Sequence, residues 1–81
     1  MKDFHYVYIL ESSCGGQFYT GLTDDLRARL KKHNEGGVPH TAKHLPWVIK
    51  TAVAFCHREK AAAFEAYLKT SSGRAFAKKR L

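Results

Sequence analysis

Residues Tyr6–Asn34, YVYILESSCGGQFYTGLTDDLRARLKKHN, decide how this chain folds. They read as a strand, a turn, a second strand and a helix. Alternation along the first strand puts Tyr6, Tyr8 and Leu10 on one side and His5, Val7 and Ile9 on the other. The second strand carries Tyr19 and Gly21 on one side. Ser12, Ser13, Cys14, Gly15 and Gly16 supply the turn chemistry that folds the two strands into an antiparallel hairpin, which brings Tyr8 towards Tyr19.

A helix is announced by Thr23, Asp24 and Asp25, whose side-chain oxygens can accept from the free N–H groups of a first turn. Leu26, Arg29, Leu30 and His33 then fall at i, i+3, i+4 and i+7, one helical face, while Arg27, Lys31 and Lys32 fall elsewhere. An arginine on the inward stripe has two readings. Either its stem lies along the apolar surface and its head reaches water, or its head enters a functional cleft.

Working outward, His33-Asn34-Glu35-Gly36-Gly37 ends the helix on a glycine cap. Val38–Pro46 has no sustained period and contains both prolines, so it is expected to be an irregular, basic connection. Trp47–Cys56 is rich in β-branched and aromatic residues and reads as a third strand. Its core face is expected to be Ile49, Thr51, Val53 and Phe55, with Val48, Lys50, Ala52 and Ala54 opposite. Glu59–Thr70 is alanine-rich and helical, with Ala61, Phe64 and Leu68 on its apolar face. Glu65 shares that face. It either sits at the helix border or, if inward, needs hydrogen bonds, a basic partner or a metal ion. Ser71, Ser72 and Gly73 are expected to break the helix, and Arg74–Leu81 to form a short terminal helix pinned by Phe76. The order β-β-α-β-α-α predicts an α+β fold, a small three-stranded antiparallel sheet flanked by helices. Eighty-one residues suffice for one domain, residues 1–81, with one modest core.

Charge narrows the function. Fourteen Lys and Arg against seven Asp and Glu give a net charge of +7. No acidic residue occurs between Gly36 and Arg58, and none from Ala66 onward. A one-signed surface of this kind attracts polyanions, above all nucleic acid. Arg27, Lys43, His44, Lys69, Arg74, Lys78 and Lys79 are the residues expected to meet phosphates, with Thr41 beside Lys43 and His44. Trp47 and Phe55 suit either base stacking or the core, with the core the more ordinary role. Two cysteines are too few for a disulfide scaffold. No secretory leader and no apolar run of the roughly 20 residues needed to span a bilayer is evident. The expectation is a cytoplasmic protein with no membrane association and no obligate protein partner. His40 and His44 lack further ligands at zinc-like spacing. Cys14 sits beside Gly15 and Gly16 and reads as a turn residue rather than a nucleophile.

Tyr6-Val7-Tyr8, then Tyr19-Thr20-Gly21, then an arginine ten positions after Tyr19, together resemble the paired motif of the GIY-YIG nuclease superfamily. In size and layout the chain is similar to the small single-domain bacterial branch of that superfamily. Tyr6 stands where the family often has glycine, and Thr20 where it often has isoleucine. The resemblance implies that Tyr8 and Tyr19 are the motif tyrosines, Arg29 the catalytic arginine and Glu65 the metal ligand, while His33 matches a histidine often found one turn after the arginine. Many members also carry an asparagine beyond the glutamate. None follows Asn34 here, so that role is absent or falls to another residue such as Lys69.

The implied activity is divalent-metal-dependent hydrolysis of phosphodiester bonds in DNA, with RNA also open. Such chemistry needs a group to deprotonate or orient water, a cation near the non-bridging oxygens, and help for the departing oxygen. Arg29 can fork onto the phosphate. Glu65 can hold a single Mg2+ or Mn2+, since magnesium keeps most of its waters and is satisfied with one carboxylate. Tyr8 and Tyr19 can bond to the attacking water or a phosphate oxygen, with Tyr8 the expected base. Because an unperturbed phenol titrates near 10, such a base requires a neighbouring cation or metal-bound water. The alternative is a non-catalytic nucleic-acid-binding module that retains the scaffold and its basic face.

Overall fold

The computed structural model describes residues 4–13 and 16–81, so the turn residues Cys14 and Gly15 lie outside the described residues. Strand β1 (His5–Ser12) is followed by β2 (Phe18–Thr23), helix α1 (Leu26–Asn34), a single 3-10 turn (Ala42–His44), β3 (Trp47–Phe55), α2 (Arg58–Leu68) and α3 (Ser71–Arg80). The sheet has the order β2-β1-β3, and both pairings are antiparallel. The expected α+β architecture is therefore the observed one.

Central position explains the unbroken burial of Val7, Tyr8, Ile9 and Leu10 along β1. A strand covered on both faces buries both of its alternating sets. Tyr8, Leu10 and Trp47 pack with Tyr19, Leu26, Leu30 and Leu45 on the α1 side. Val7 and Ile9 pack with Ala61, Leu68, Leu22, Phe55, Phe64, Ala77 and Leu81 on the α2/α3 side. Each large aliphatic side chain buried this way contributes on the order of 1.5–3 kcal/mol.

Local chemistry sets the ends of α1. Of the three expected capping residues, Asp25 holds the N-cap, its carboxylate accepting from the Ala28 N–H at 3.1 Å. At the other end Gly36 N–H donates to the His33 carbonyl and Gly37 N–H to the Lys32 carbonyl, at 3.1 and 3.0 Å. This is a Schellman cap, and the φ of +78° at Gly36 is the left-handed conformation it requires.

Three expectations are corrected. First, alternation along β3 is broken: Ile9 pairs with Thr51 but Leu10 pairs with Ile49, so Lys50 is the extra residue of a bulge. Ile49 consequently shares the face of Trp47 and leaves the set containing Thr51, Val53 and Phe55. Second, Ser71, Ser72 and Gly73 do not break a helix but form the first turn of α3. The break lies at Thr70, whose hydroxyl accepts from the Gly73 N–H at 3.0 Å and caps the new helix. Third, α3 is anchored chiefly by Ala77 and Leu81 against the core, and the Leu81 carbonyl accepts from the Thr51 hydroxyl at 3.1 Å. Phe76 lies on the rim, against Phe64 and Tyr67.

Candidate active site

The hairpin register places Tyr8 opposite Gly21, and Tyr19 two pairs away opposite Leu10. Both tyrosines thus lie on the face that α1 covers. Glycine is required at position 21, because a Cβ there would stand 2.5 Å from Cζ of Tyr8 and overlap its hydroxyl. The rings of Tyr8 and Tyr19 are 6.3 Å apart, and His33 completes the group at 5.9 Å from Tyr8 and 4.9 Å from Tyr19.

Hydrogen bonds assign the protons in this group. The Thr41 hydroxyl donates to the Val38 carbonyl at 3.2 Å, so it must accept from His33 Nδ1–H at 2.9 Å. His33 Nε2 then carries a lone pair and accepts from the Tyr8 hydroxyl at 3.0 Å. The result is a buried chain running Tyr8, His33, Thr41, Val38. Burial, followed by the charges of Arg29 and Lys32, lowers the pKa of His33 and favours its neutral form.

Tyr8 is 1% exposed, and burial pushes its phenol up to about 12, with the Tyr19 phenol adding to the rise, Arg29 opposing it and Glu65 adding less. At neutral pH the phenol is protonated and is a donor to His33. Tyr19, by contrast, is half-buried.

Arg29 stands on α1 and Glu65 on α2. The sheet separates α1 from α2, as the two distinct core clusters require. Both charges nevertheless bear on the Tyr8 hydroxyl, one lowering and one raising its pKa. Arg29 is half-buried and lines a small hollow of about 200 Å³ with Thr23, Asp25, Ala28 and Lys32. Glu65 retains 23% side-chain exposure and pairs with Lys69, its neighbour one turn on, at 3.2 Å.

Glu65 is the candidate metal ligand, and its surroundings decide what it can hold. No cluster of three His, Cys, Asp or Glu side chains exists among the described residues, a donor set unsuited to structural zinc. A lone, partly exposed carboxylate fits a hard cation that keeps several waters. The ion pair with Lys69 is no obstacle, because partly exposed pairs of this kind are worth only about 0–1 kcal/mol.

The expected phosphate contacts divide. Arg27 and Lys43 are exposed, as are Lys69, Arg74, Lys78 and Lys79 of the α2/α3 region. His44 is half-buried with its ring edge on Trp47 at 6.4 Å. Thr41 is removed from the phosphate-binding set: it is buried and its hydroxyl is engaged by His33. Trp47 is likewise a core residue, its indole N–H donating to the Thr41 carbonyl at 2.8 Å. Sequence reasoning missed Thr41 as a support of the histidine, and it missed Asn34. The Asn34 amide donates to the Trp47 carbonyl at 3.0 Å and accepts from the Trp47 N–H at 2.7 Å, fastening the end of α1 to the start of β3. A threonine inside the proline-containing connection and an asparagine at the end of the helix before it offered no periodic signal for either role.

Comparison with known proteins places the chain in a family. A "UPF0213 protein" of Streptococcus pneumoniae serotype 4 is 42% identical over 65 residues, covering 79% of this chain and 65% of the relative. Another from Halalkalibacterium halodurans is 41% identical over 71 residues, covering 86% and 74%. One from Streptococcus sanguinis is 50% identical over 48 residues, covering 57% and 53%. The chain therefore spans only about two thirds of the pneumococcal protein's length. No solved structure matches it. The family described as "GIY-YIG catalytic domain" matches residues 4–80, and the chain belongs to that family.

Proposed function

We propose that this domain is a divalent-metal-dependent nuclease that hydrolyses phosphodiester bonds in DNA, with Tyr8, Tyr19, Arg29, His33 and Glu65 as its working set. The observation that carries the reading is the buried hydrogen-bonded chain Tyr8–His33–Thr41, with Arg29 and Glu65 near enough to shift the Tyr8 phenol in opposite directions. A scaffold has no need of a tyrosine and a histidine sequestered together in a defined protonation state. Replacing such a pair with apolar groups of the same shape is often neutral or stabilising.

The chemistry follows from the proton positions. As water attacks phosphorus, its proton passes to the Tyr8 oxygen while the Tyr8 proton moves to His33 Nε2. Tyr8 thereby acts as a base without forming a free phenolate, which a phenol titrating near 12 would resist at neutral pH. Arg29 depresses the basicity of His33 in the free protein. A phosphate held on Arg29 neutralises that charge, so substrate binding itself raises the proton affinity of His33. Half-buried Tyr19 orients the water or a phosphate oxygen. Mg2+ or Mn2+ bound at Glu65 would stabilise charge on the phosphate and the departing oxygen.

The alternative is a non-catalytic nucleic-acid-binding module that uses the same exposed cations, Lys43, Lys69, Arg74, Lys78 and Lys79. The two readings separate on labelled single-stranded, duplex and branched DNA incubated with and without magnesium or manganese. Metal-dependent scission by the wild-type chain, lost in Glu65→Gln while DNA affinity is kept, is the expected result. Cleavage that survives Glu65→Gln would reject the metal site. Binding without scission of any substrate would establish the module.

A further inference from the structure

On the sheet face opposite the tyrosine–histidine chain, β1, β2 and β3 meet the ends of α2 and α3 around a groove of about 780 Å³. Its walls carry Lys50, Lys69, Arg74 and Lys78, together with Phe18 and part of Tyr19, and no carboxylate is among the lining residues. Phe18 is 55% exposed at the start of β2 and makes no part of either core cluster. The Lys50 ammonium stands over its ring, 5.9 Å from the centroid. Lys50 is the bulge residue of β3, so the irregularity in that strand is what supplies a cation to this wall.

We infer that this groove is a binding site for an unpaired stretch of nucleic acid, with one base stacked on Phe18 and the flanking phosphates on Lys50, Lys69, Arg74 and Lys78. The inference rests on the nucleic-acid side of the proposed function, not on hydrolysis. Converging cations, with no carboxylate lining the groove although Lys69 pairs with Glu65 beside it, select a polyanion. The exposed ring selects which kind: a flat aromatic surface beside cations holds single strands by stacking, whereas the bases of a duplex are stacked on one another and offer no face. Two residues join the groove to the candidate active site. Tyr19 borders both, and Lys69 lines the groove while touching Glu65. A strand seated in the groove thus has its backbone led towards Glu65.

The test is fluorescence anisotropy with a labelled oligothymidylate, a duplex of equal length and polyglutamate as competitor, all in EDTA so that nothing is cleaved. Phe18→Ala is expected to weaken oligothymidylate binding at least about fivefold, to leave duplex binding within about twofold, and to be rescued by Phe18→Tyr. Lys50→Ala and Arg74→Ala should each reduce the slope of log affinity against log salt by about 0.7. Unchanged oligothymidylate binding in Phe18→Ala, equal weakening for the duplex, or displacement by polyglutamate as effective as by unlabelled oligothymidylate would overturn the site. The two proposals fail separately. A Phe18-dependent preference in a chain that cuts nothing would refute the nuclease and retain the groove, and metal-dependent cutting with an indifferent Phe18 would do the reverse.

Discussion

Thr41→Val tests the assigned proton order most directly. Valine copies the shape of threonine but removes its hydroxyl. Two bonds are lost, from His33 Nδ1–H and to the Val38 carbonyl, at a position that is 1% exposed. A buried N–H left without an acceptor costs about 1–3 kcal/mol. In a domain of this size each kcal/mol lowers the melting temperature by roughly 4–8 °C, so a drop of at least about 4 °C is expected. The chemical effect should exceed the thermal one. With no acceptor at Nδ1, the imidazole shifts its proton to Nε2 and can no longer accept from Tyr8, so the proposed proton path is cut. Nitrogen chemical shifts of the His33 ring report the tautomer, melting reports stability, and single-turnover cleavage reports the path. Thr41→Ser, which restores a hydroxyl, should recover the tautomer. A Thr41→Val protein with an unchanged ring tautomer and an unaltered melting temperature would refute the assignment.

Further consequences follow from neighbouring groups. Because the folded pKa of His33 lies below its unfolded value near 6.5, His33 contributes stability that is complete above pH 6.5 and is lost as pH falls through the folded value. Urea unfolding should show that acid-side decline in the wild type and a reduced one in His33→Gln; identical pH profiles would contradict it. Gly21→Ala forces a methyl against the Tyr8 ring and should destabilise by about 1–3 kcal/mol, the usual cost of overpacking. Equilibrium denaturation checks this, and an undiminished midpoint would show that Tyr8 can retreat.

Much of the fold was legible because it obeys local periodicity. The alternation of Tyr6 to Leu10, the Asp25 cap and the Gly36 stop each reflect interactions within a few residues, and each was readable from spacing. Errors arose where a distant partner overrode the local pattern. The bulge at Lys50 depends on how β3 registers against β1, and the Thr70 cap outcompetes the apparent breaker Gly73. At the candidate site, the rings of Tyr8, Tyr19 and His33 lie together. The direction of the tyrosine–histidine bond was not legible, because it depends on Thr41, which lies in the connection with no pattern to read.

Asn34 brackets both backbone groups of Trp47, so the connection between them is a closed loop with its mouth already tied. Lengthening a tied loop costs little, since closure entropy grows only logarithmically with chain length. The exposed tip at Pro39 and His40 is therefore a port at which a reporter or an added recognition module could be spliced in, with helix and strand still held in step by a single side-chain amide.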